Sequence, residues 1–188
     1  DKMVPVYGFG AVLPEQKMAS HFFNLTLEED AYVHKIGGVL DVYRKNLPKL
    51  KLAGPTNFAP CITQVTKNAR EAASDNVYTV LLMLTDGDIT DMAATIDAIV
   101  QADDAPLSII IVGVGSDCDF SNMQELDCDG AFLISSKGRL SRRDTVQFVA
   151  MSEFKRKSLG TLAAEVLREV PDQFTEYARL VNLHPPKR

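Results

Sequence analysis

Apolar residues fall along this chain in two patterns: short unbroken runs, and longer stretches spaced three or four apart. An unbroken run bounded by turn residues predicts a strand buried on both faces, and the wider spacing predicts one face of a helix. Val77–Leu84 and Pro106–Val114 are runs of the first kind, closed by Asp86-Gly87 and by Gly113-Val114-Gly115; Val146–Val149 is a shorter one. Val4–Phe9 alternates and ends in Gly8-Phe9-Gly10, which predicts a strand and then a turn. Ser20–Leu25 reads as a short edge strand. Tyr32–Leu47 places Val33, Ile36, Val39, Leu40 and Tyr43 at helical spacing, with Pro48 following its end. Gly54-Pro55-Thr56-Asn57 is a loop, and Phe58–Ala73 a second helix. A third helix is capped by Asp91 and buries Ile96, Ile99 and Val100. A fourth spans Leu159–Val170 and breaks at Pro171, and a last one runs from about Asp172 to Leu183.

Buried strands alternating with helices predict an α/β fold: a doubly wound, mostly parallel sheet with helices on both faces. Val6, Leu81, Met83, Ile109, Ile111 and Phe148 are the expected core. Residues 1–183 are expected to form one domain, with 184–188 (His-Pro-Pro-Lys-Arg) as a tail that starts a linker. In such sheets ligands sit beyond the carboxyl ends of the strands. The residues after Leu84 and Val114, with the Gly54–Phe58 loop, are therefore where chemistry is expected.

Composition narrows the classes of function. With 188 residues, 46% of them hydrophobic, the chain is long enough for a substantial core. A net charge of −5 gives no overall attraction to nucleic acid or anionic lipid, so such contacts would have to be local. No apolar run is long enough to span a membrane, and the opening Asp-Lys-Met-Val-Pro does not read as a signal peptide. Cys61, Cys118 and Cys128 match no zinc spacing and are expected to be free thiols in a reducing cytosol.

The stretch Leu84-Thr85-Asp86-Gly87-Asp88-Ile89-Thr90-Asp91 is the first candidate site. A buried strand delivers Asp86 to the ligand edge, and a carboxylate there is a good ligand for a hard cation. The plain reading is turn chemistry, with Gly87 bending the backbone, and Asp91 is left to the helix cap. The same residues fit the Asp-x-Asp-x-Thr nucleophile motif of a magnesium-dependent phosphatase of haloacid-dehalogenase type, using Asp86 and Asp88. Its position argues against that reading, because the motif normally sits on the first strand of its domain. Thr56, after a rigid Gly-Pro, is the second candidate, as a cation ligand or as a helix cap. The loop lacks the Gly-Lys-Ser/Thr of a phosphate-binding loop, and Asp117-x-Asp119-x-Ser121 fails the calcium-loop pattern at its sixth and twelfth positions. Gly8-x-Gly10 and Gly113-x-Gly115 lack the third glycine of a dinucleotide fingerprint. His21, His34 and His184 belong to no nucleophile motif. Arg139, Arg142 and Arg143, and Lys155-Arg156-Lys157, form two basic clusters that read as solvated faces, with contact to acidic lipid or an acidic partner as the alternative.

Taken together, several stretches resemble the von Willebrand factor A-type domain of copines. They are Gly8-Phe9-Gly10-Ala11, Gly54-Pro55-Thr56-Asn57-Phe58, Leu84-Thr85-Asp86-Gly87, Pro106 through Gly115, Phe120-Ser121-Asn122-Met123, Arg143-Asp144-Thr145-Val146 and Val170-Pro171-Asp172-Gln173. The resemblance covers nearly the whole chain. It implies a protein-interaction module rather than an enzyme, binding partners through a metal-ion-dependent adhesion site. Thr56 and Asp86 match its threonine and aspartate as ligands of magnesium or manganese, and a partner's acidic side chain completes the shell. It also implies upstream C2 domains giving calcium-dependent phospholipid binding, a cytoplasmic protein recruited peripherally to membranes, and no nucleic-acid partner. The Asp-x-Ser/Thr-x-Ser signature that supplies the other ligands is not in this sequence, and the family's first strand and helix are expected to be absent from it. With the family's strand order 3-2-1-4-5-6, a gap is then expected between the Val4–Phe9 and Val77–Leu84 strands.

Overall fold

The computed structural model describes residues 2–87, 89–115, 118–128 and 132–183. Its internal contacts divide the chain into two compact units, Asp1–Cys61 and Ile62–Arg188. The expected tail, 184–188, lies outside the described residues.

The first unit holds short antiparallel strands around one helix. They are β1 (Met3–Pro5), β2 (Tyr7–Gly8), β3 (Ala11–Val12), β4 (Ala19–Ser20), β5 (Phe23–Asn24), β6 (Tyr32–His34), helix α1 (Lys35–Asn46) and β7 (Lys51–Leu52). β1 pairs with β6, β2 with β5, and β3 with both β4 and β7. The single strand expected over Val4–Phe9 is thus two strands, and Val6 is the joint. Its N–H donates to the Ala31 carbonyl at 3.0 Å, while its own carbonyl accepts from the Leu25 N–H at 2.9 Å. The chain therefore changes partner at Val6 without leaving a backbone group unpaired. Gly8 is required there, since any Cβ would run into the Phe23 ring. Ala11, Phe23, Leu25 and Val42 form the core, with Val6 half-buried against it. Buried Asn46 closes it from the helix end, donating to the carbonyls of Leu25 and Thr26 at 2.8 and 2.9 Å.

The helix expected over Tyr32–Leu47 starts later, at Lys35, because Tyr32–His34 is drawn into the ladder with β1. Its predicted apolar stripe is not its inner face: Ile36, Leu40 and Tyr43 are exposed, and Val42 and Asn46 are buried instead.

Helix α2 (Ala59–Ala72) leads into the second unit, which holds β8 (Thr79–Thr85), α3 (Met92–Gln101), β9 (Leu107–Gly113), α4 (Ser121–Asp127), β10 (Val146–Ala150), α5 (Leu159–Val166) and α6 (Val170–Leu180). The three strands form a parallel sheet in the order β10-β9-β8, with Leu81 opposite Ile109 and Phe148 opposite Ile111. This is the mixed α/β architecture with a central parallel sheet that the sequence predicts. β9 is buried at all seven positions, so both sheet faces are covered at its centre. Met83, Ile109, Ile111 and Phe148 are core residues as expected, and Leu81 is half-buried.

β8 departs from expectation. An unbroken apolar run predicts burial on both faces, but Val80, Leu82 and Leu84 are 44, 55 and 59% exposed, while Met83 and Thr85 are buried. Among the described residues β8 pairs with β9 alone. Its other edge therefore carries no ladder among the described residues, and one of its faces is exposed. The opposite edge of the sheet is closed differently. The outward N–H groups of Val146 and Phe148 donate to carboxylates of Asp144 and Asp127, at 3.1 and 2.8 Å.

Two further details differ. Pro171 does not interrupt a helix; it sits in the first turn of α6, where its missing N–H has no partner to lose. α4 was not predicted, its seven residues being too few for a periodic signal.

Candidate functional site

Asp86 is placed by β8. The strand's ladder continues to its tip, where the Val114 N–H donates to the Thr85 carbonyl at 2.7 Å. The Thr85 hydroxyl donates to the Gly87 carbonyl at 3.2 Å, which fixes the bend. Asp86 lies between these anchored residues with its side chain exposed. Among the described residues no hydrogen bond or ion pair engages its carboxylate. Gly87 is not the sharp hinge expected, for its φ is not positive and a Cβ would meet nothing within 4 Å. Asp88 lies outside the described residues. Asp91 occupies the position before α3, as expected, but its carboxylate accepts from the Thr95 hydroxyl at 3.1 Å rather than capping the helix N–H groups.

Thr56 is placed by the loop between β7 and α2. One end of that loop is tied to the strands by the Ala53 N–H, which donates to the Gly10 carbonyl at 2.9 Å. The other end is held by Phe58, which is fully buried and meets the Phe9 ring edge-on at 5.5 Å between centroids. The Gly54–Pro55 bond between them is cis. Thr56 itself is half-buried. It belongs to the first unit and Asp86 to the second, and each is positioned by the bonds of its own unit. Both offer oxygen, the donor type that magnesium and manganese prefer. Among the described residues no cluster of three or more His, Cys, Asp or Glu side chains is grouped to hold a metal.

The two basic clusters have different fates. Arg139 and Arg142 converge on Asp103, whose side chain is fully buried, through guanidinium contacts at 2.7 and 2.9 Å. The Arg142 backbone N–H also donates to Asp103, at 2.9 Å. Burial alone would push the Asp103 carboxyl up, but the hydrogen bonds from Arg142 and the charges of Arg142 and Arg139 hold it below the usual carboxylate range. Arg143 is itself buried. Its guanidinium donates to the carbonyls of Asp103, Ala105, Leu107 and Gln173 at 2.9, 2.9, 2.7 and 3.2 Å. Arg143 is thus a structural joint rather than part of a solvated face, while Arg139 and Arg142 pair with Asp103 and keep 45% of their side chains exposed. The Lys155-Arg156-Lys157 cluster is exposed, as read.

The remaining motifs are structural. Gly113 packs under the Phe120 ring, and Gly115 has φ +125° with the Cys118 sulfur where a Cβ would be, which accounts for a glycine pair without a dinucleotide. Asp119 accepts from the Ser121 N–H at 2.9 Å, which lowers its pKa. The three thiols are free, and burial pushes Cys61 up to about 11. Among the described residues no helix is long and apolar enough to cross a membrane.

A family model described as Copine matches residues 1–186. The chain belongs to the copine family. It is 45% identical over 186 residues to Copine-A of Dictyostelium discoideum, covering 97% of this chain and 30% of that protein. It is 44% identical over 196 residues to nicotinic receptor-associated protein 1 of Caenorhabditis elegans, covering 98% of this chain and 31% of that protein. The chain thus spans under a third of the length of these curated relatives. The family match gives no support to the phosphatase alternative on Asp86 and Asp88.

Sequence reasoning missed the Asp103–Arg143 joint. The only local signal was three arginines within five positions, 139–143, which equally suits a solvated surface. It also passed over the surroundings of Lys155–Lys157, where a recess opens at the carboxyl end of β10.

Proposed function

We propose that this copine-family chain is a protein-docking module in which Asp86 and Thr56 hold a magnesium or manganese ion, and that a partner's carboxylate binds to it. The observation that supports this best is the Asp86 carboxylate: exposed, unpartnered among the described residues, and at the carboxyl tip of a parallel strand. A turn residue would normally spend its carboxylate on a nearby N–H. Asp86 supplies negative charge to the cation, and the Thr56 hydroxyl supplies a neutral oxygen. When bound, the ion supplies a positive centre with coordination positions open to an incoming carboxylate. The rest of the six-oxygen shell falls to water, to the partner's carboxylate and to donors outside these two residues. The name of the nematode relative, a receptor-associated protein, agrees with a module that associates with other proteins. In the whole protein, calcium-dependent recruitment to phospholipid belongs to C2 domains outside this chain.

The test is a pull-down with and without magnesium, repeated with Asp86→Ala and Thr56→Ala. Both variants should lose the magnesium-dependent fraction. Because Asp86 is exposed and unpartnered, its loss should alter stability by no more than about 0.5 kcal/mol. Global unfolding of Asp86→Ala would reduce the residue to a structural turn. Turnover of a chromogenic phosphate ester, abolished by the same change, would replace docking with phosphatase chemistry.

A further inference from the structure

Beyond the carboxyl end of β10 the chain turns through residues 151–158 into α5, and this turn encloses an open recess of about 360 Å³. Met151, Phe154, Leu159 and Leu162 form its apolar lining, Lys155 and Lys157 bring positive charge to it, and Gly115, Ser152 and Ser158 line the rest. Two observations set it apart from ordinary surface. The first is that its apolar groups are left wet: Leu159, the first residue of α5, is 82% exposed and Met151 43%. The second is charge. Lys155, Arg156 and Lys157 follow one another, and among the described residues none is in an ion pair. This occurs in a chain of net charge −5, whose other basic cluster has Arg139 and Arg142 paired with Asp103. Glu153 is the one carboxylate between residues 151 and 158, and it does not line the recess. The Lys157 ammonium stands 4.3 Å from the centre of the Phe154 ring, so a cation is held over the apolar wall rather than trailing into solvent.

We propose that this recess is a second docking site, independent of metal, for an acidic segment of a partner protein that carries one large apolar side chain beside several carboxylates. The volume is at the small end for ligand sites, roughly 300–1,000 Å³, which suits a side chain rather than a cofactor. The lining buries the apolar anchor, and the three cations meet the flanking carboxylates. An anchor in a pocket ringed by charge is how short segments gain both affinity and register. A membrane surface has the charge but not the protruding group that fills a concavity, which is why a peptide is the better occupant. The site does not rest on the Asp86 reading, since its positive charge comes from the protein's own side chains.

The full chain is titrated into a fluorescein-labelled peptide with a central phenylalanine flanked by aspartates and glutamates, and anisotropy is read. Saturable binding is expected, unchanged by EDTA and by Asp86→Ala, and weakening as salt rises through the range that shortens the Debye length below about 8 Å. Combined Lys155→Glu and Lys157→Glu should weaken it at least about tenfold. Serine in place of the peptide's phenylalanine, or amides in place of its carboxylates, should do the same on the unaltered protein, so the result does not depend on how the lysine variant folds. The proposal is overturned by an absence of saturable binding, by indifference to either the lysine or the peptide changes, or by EDTA sensitivity, which would return the peptide to the metal site. It is equally overturned if phosphatidylserine vesicles bind through these lysines while the peptide does not.

Discussion

Replacing Arg143 tests the joint at the base of the sheet. The guanidinium is buried and serves five carbonyls: those of Asp103, Ala105, Leu107 and Gln173 at 2.7 to 3.2 Å, and more distantly that of Asp144 at 3.5 Å. Hydrogen bonds from a charged donor contribute about 1.5–3 kcal/mol each net of water exchange, so the four close ones set an upper bound of about 6–12 kcal/mol. Bonds that share one donor group are not additive, and breaking a buried charged interaction typically costs about 3–5 kcal/mol. The face of the Tyr177 ring, 5.7 Å from the guanidinium carbon, adds a cation–π contact. The net loss for Arg143→Met, which keeps the bulk and leaves the carbonyls without donors, should be about 3–5 kcal/mol. Arg143→Lys should cost nearly as much, because a single ammonium cannot reach carbonyls spread around a planar fork. The assay is urea unfolding followed by circular dichroism, with the denaturant slope checked for constancy. A loss below about 1 kcal/mol for both variants would refute the reasoning and show that water replaces the guanidinium without penalty.

Three other outcomes follow from the same structure. Ile111→Ala, at a fully buried position in the central strand, should cost roughly 2–5 kcal/mol in the same unfolding assay, and a loss under about half a kcal/mol would place β9 at an exposed edge. Asp103 has a lowered carboxyl pKa in the fold, so its stabilisation should be fully present above the unfolded value of about 3.9 and be lost as pH falls through the folded value. Stability measured against pH should therefore show Asp103→Asn less sensitive to acid than the parent, and parallel curves would remove the carboxylate from the account. The open edge of β8, with Val80, Leu82 and Leu84 exposed beside it, should promote self-association. Sedimentation should show mass rising with concentration, and Leu82→Lys should suppress it without lowering the melting temperature.

What could be read from the residues depended on how local its cause was. The α/β class was legible because β9 announces itself: an apolar run too short for a helix and bounded by glycines has few other uses. The position of Asp86, though not a role for it, was legible because a strand tip is a place defined by sequence order. The burial of β8 was not, since an apolar run records what a strand can bury and not what is there to cover it. The same holds for α1, whose apolar stripe at Ile36, Leu40 and Tyr43 faces solvent. Asp103 was invisible for another reason. Its role depends on arginines more than thirty residues away, and an aspartate near a helix end looks the same whether buried or not. The recess beside Lys155 depends on the path of a turn, and side-chain identity carries no concavity.

The two edges of the parallel sheet set a limit on how it can grow. At β10 the outward N–H groups of Val146 and Phe148 are already taken by Asp144 and Asp127, so an approaching strand finds carboxylates where it needs donors. At β8 no second strand is paired among the described residues. The sheet is therefore monofunctional: it has one reactive end and one terminated end. A single added strand passes the open edge to its own outer side, whereas two copies joined edge to edge through β8 satisfy each other around a two-fold axis and end at their two β10 edges. That pairing has a fixed stoichiometry and does not run on into a fibre.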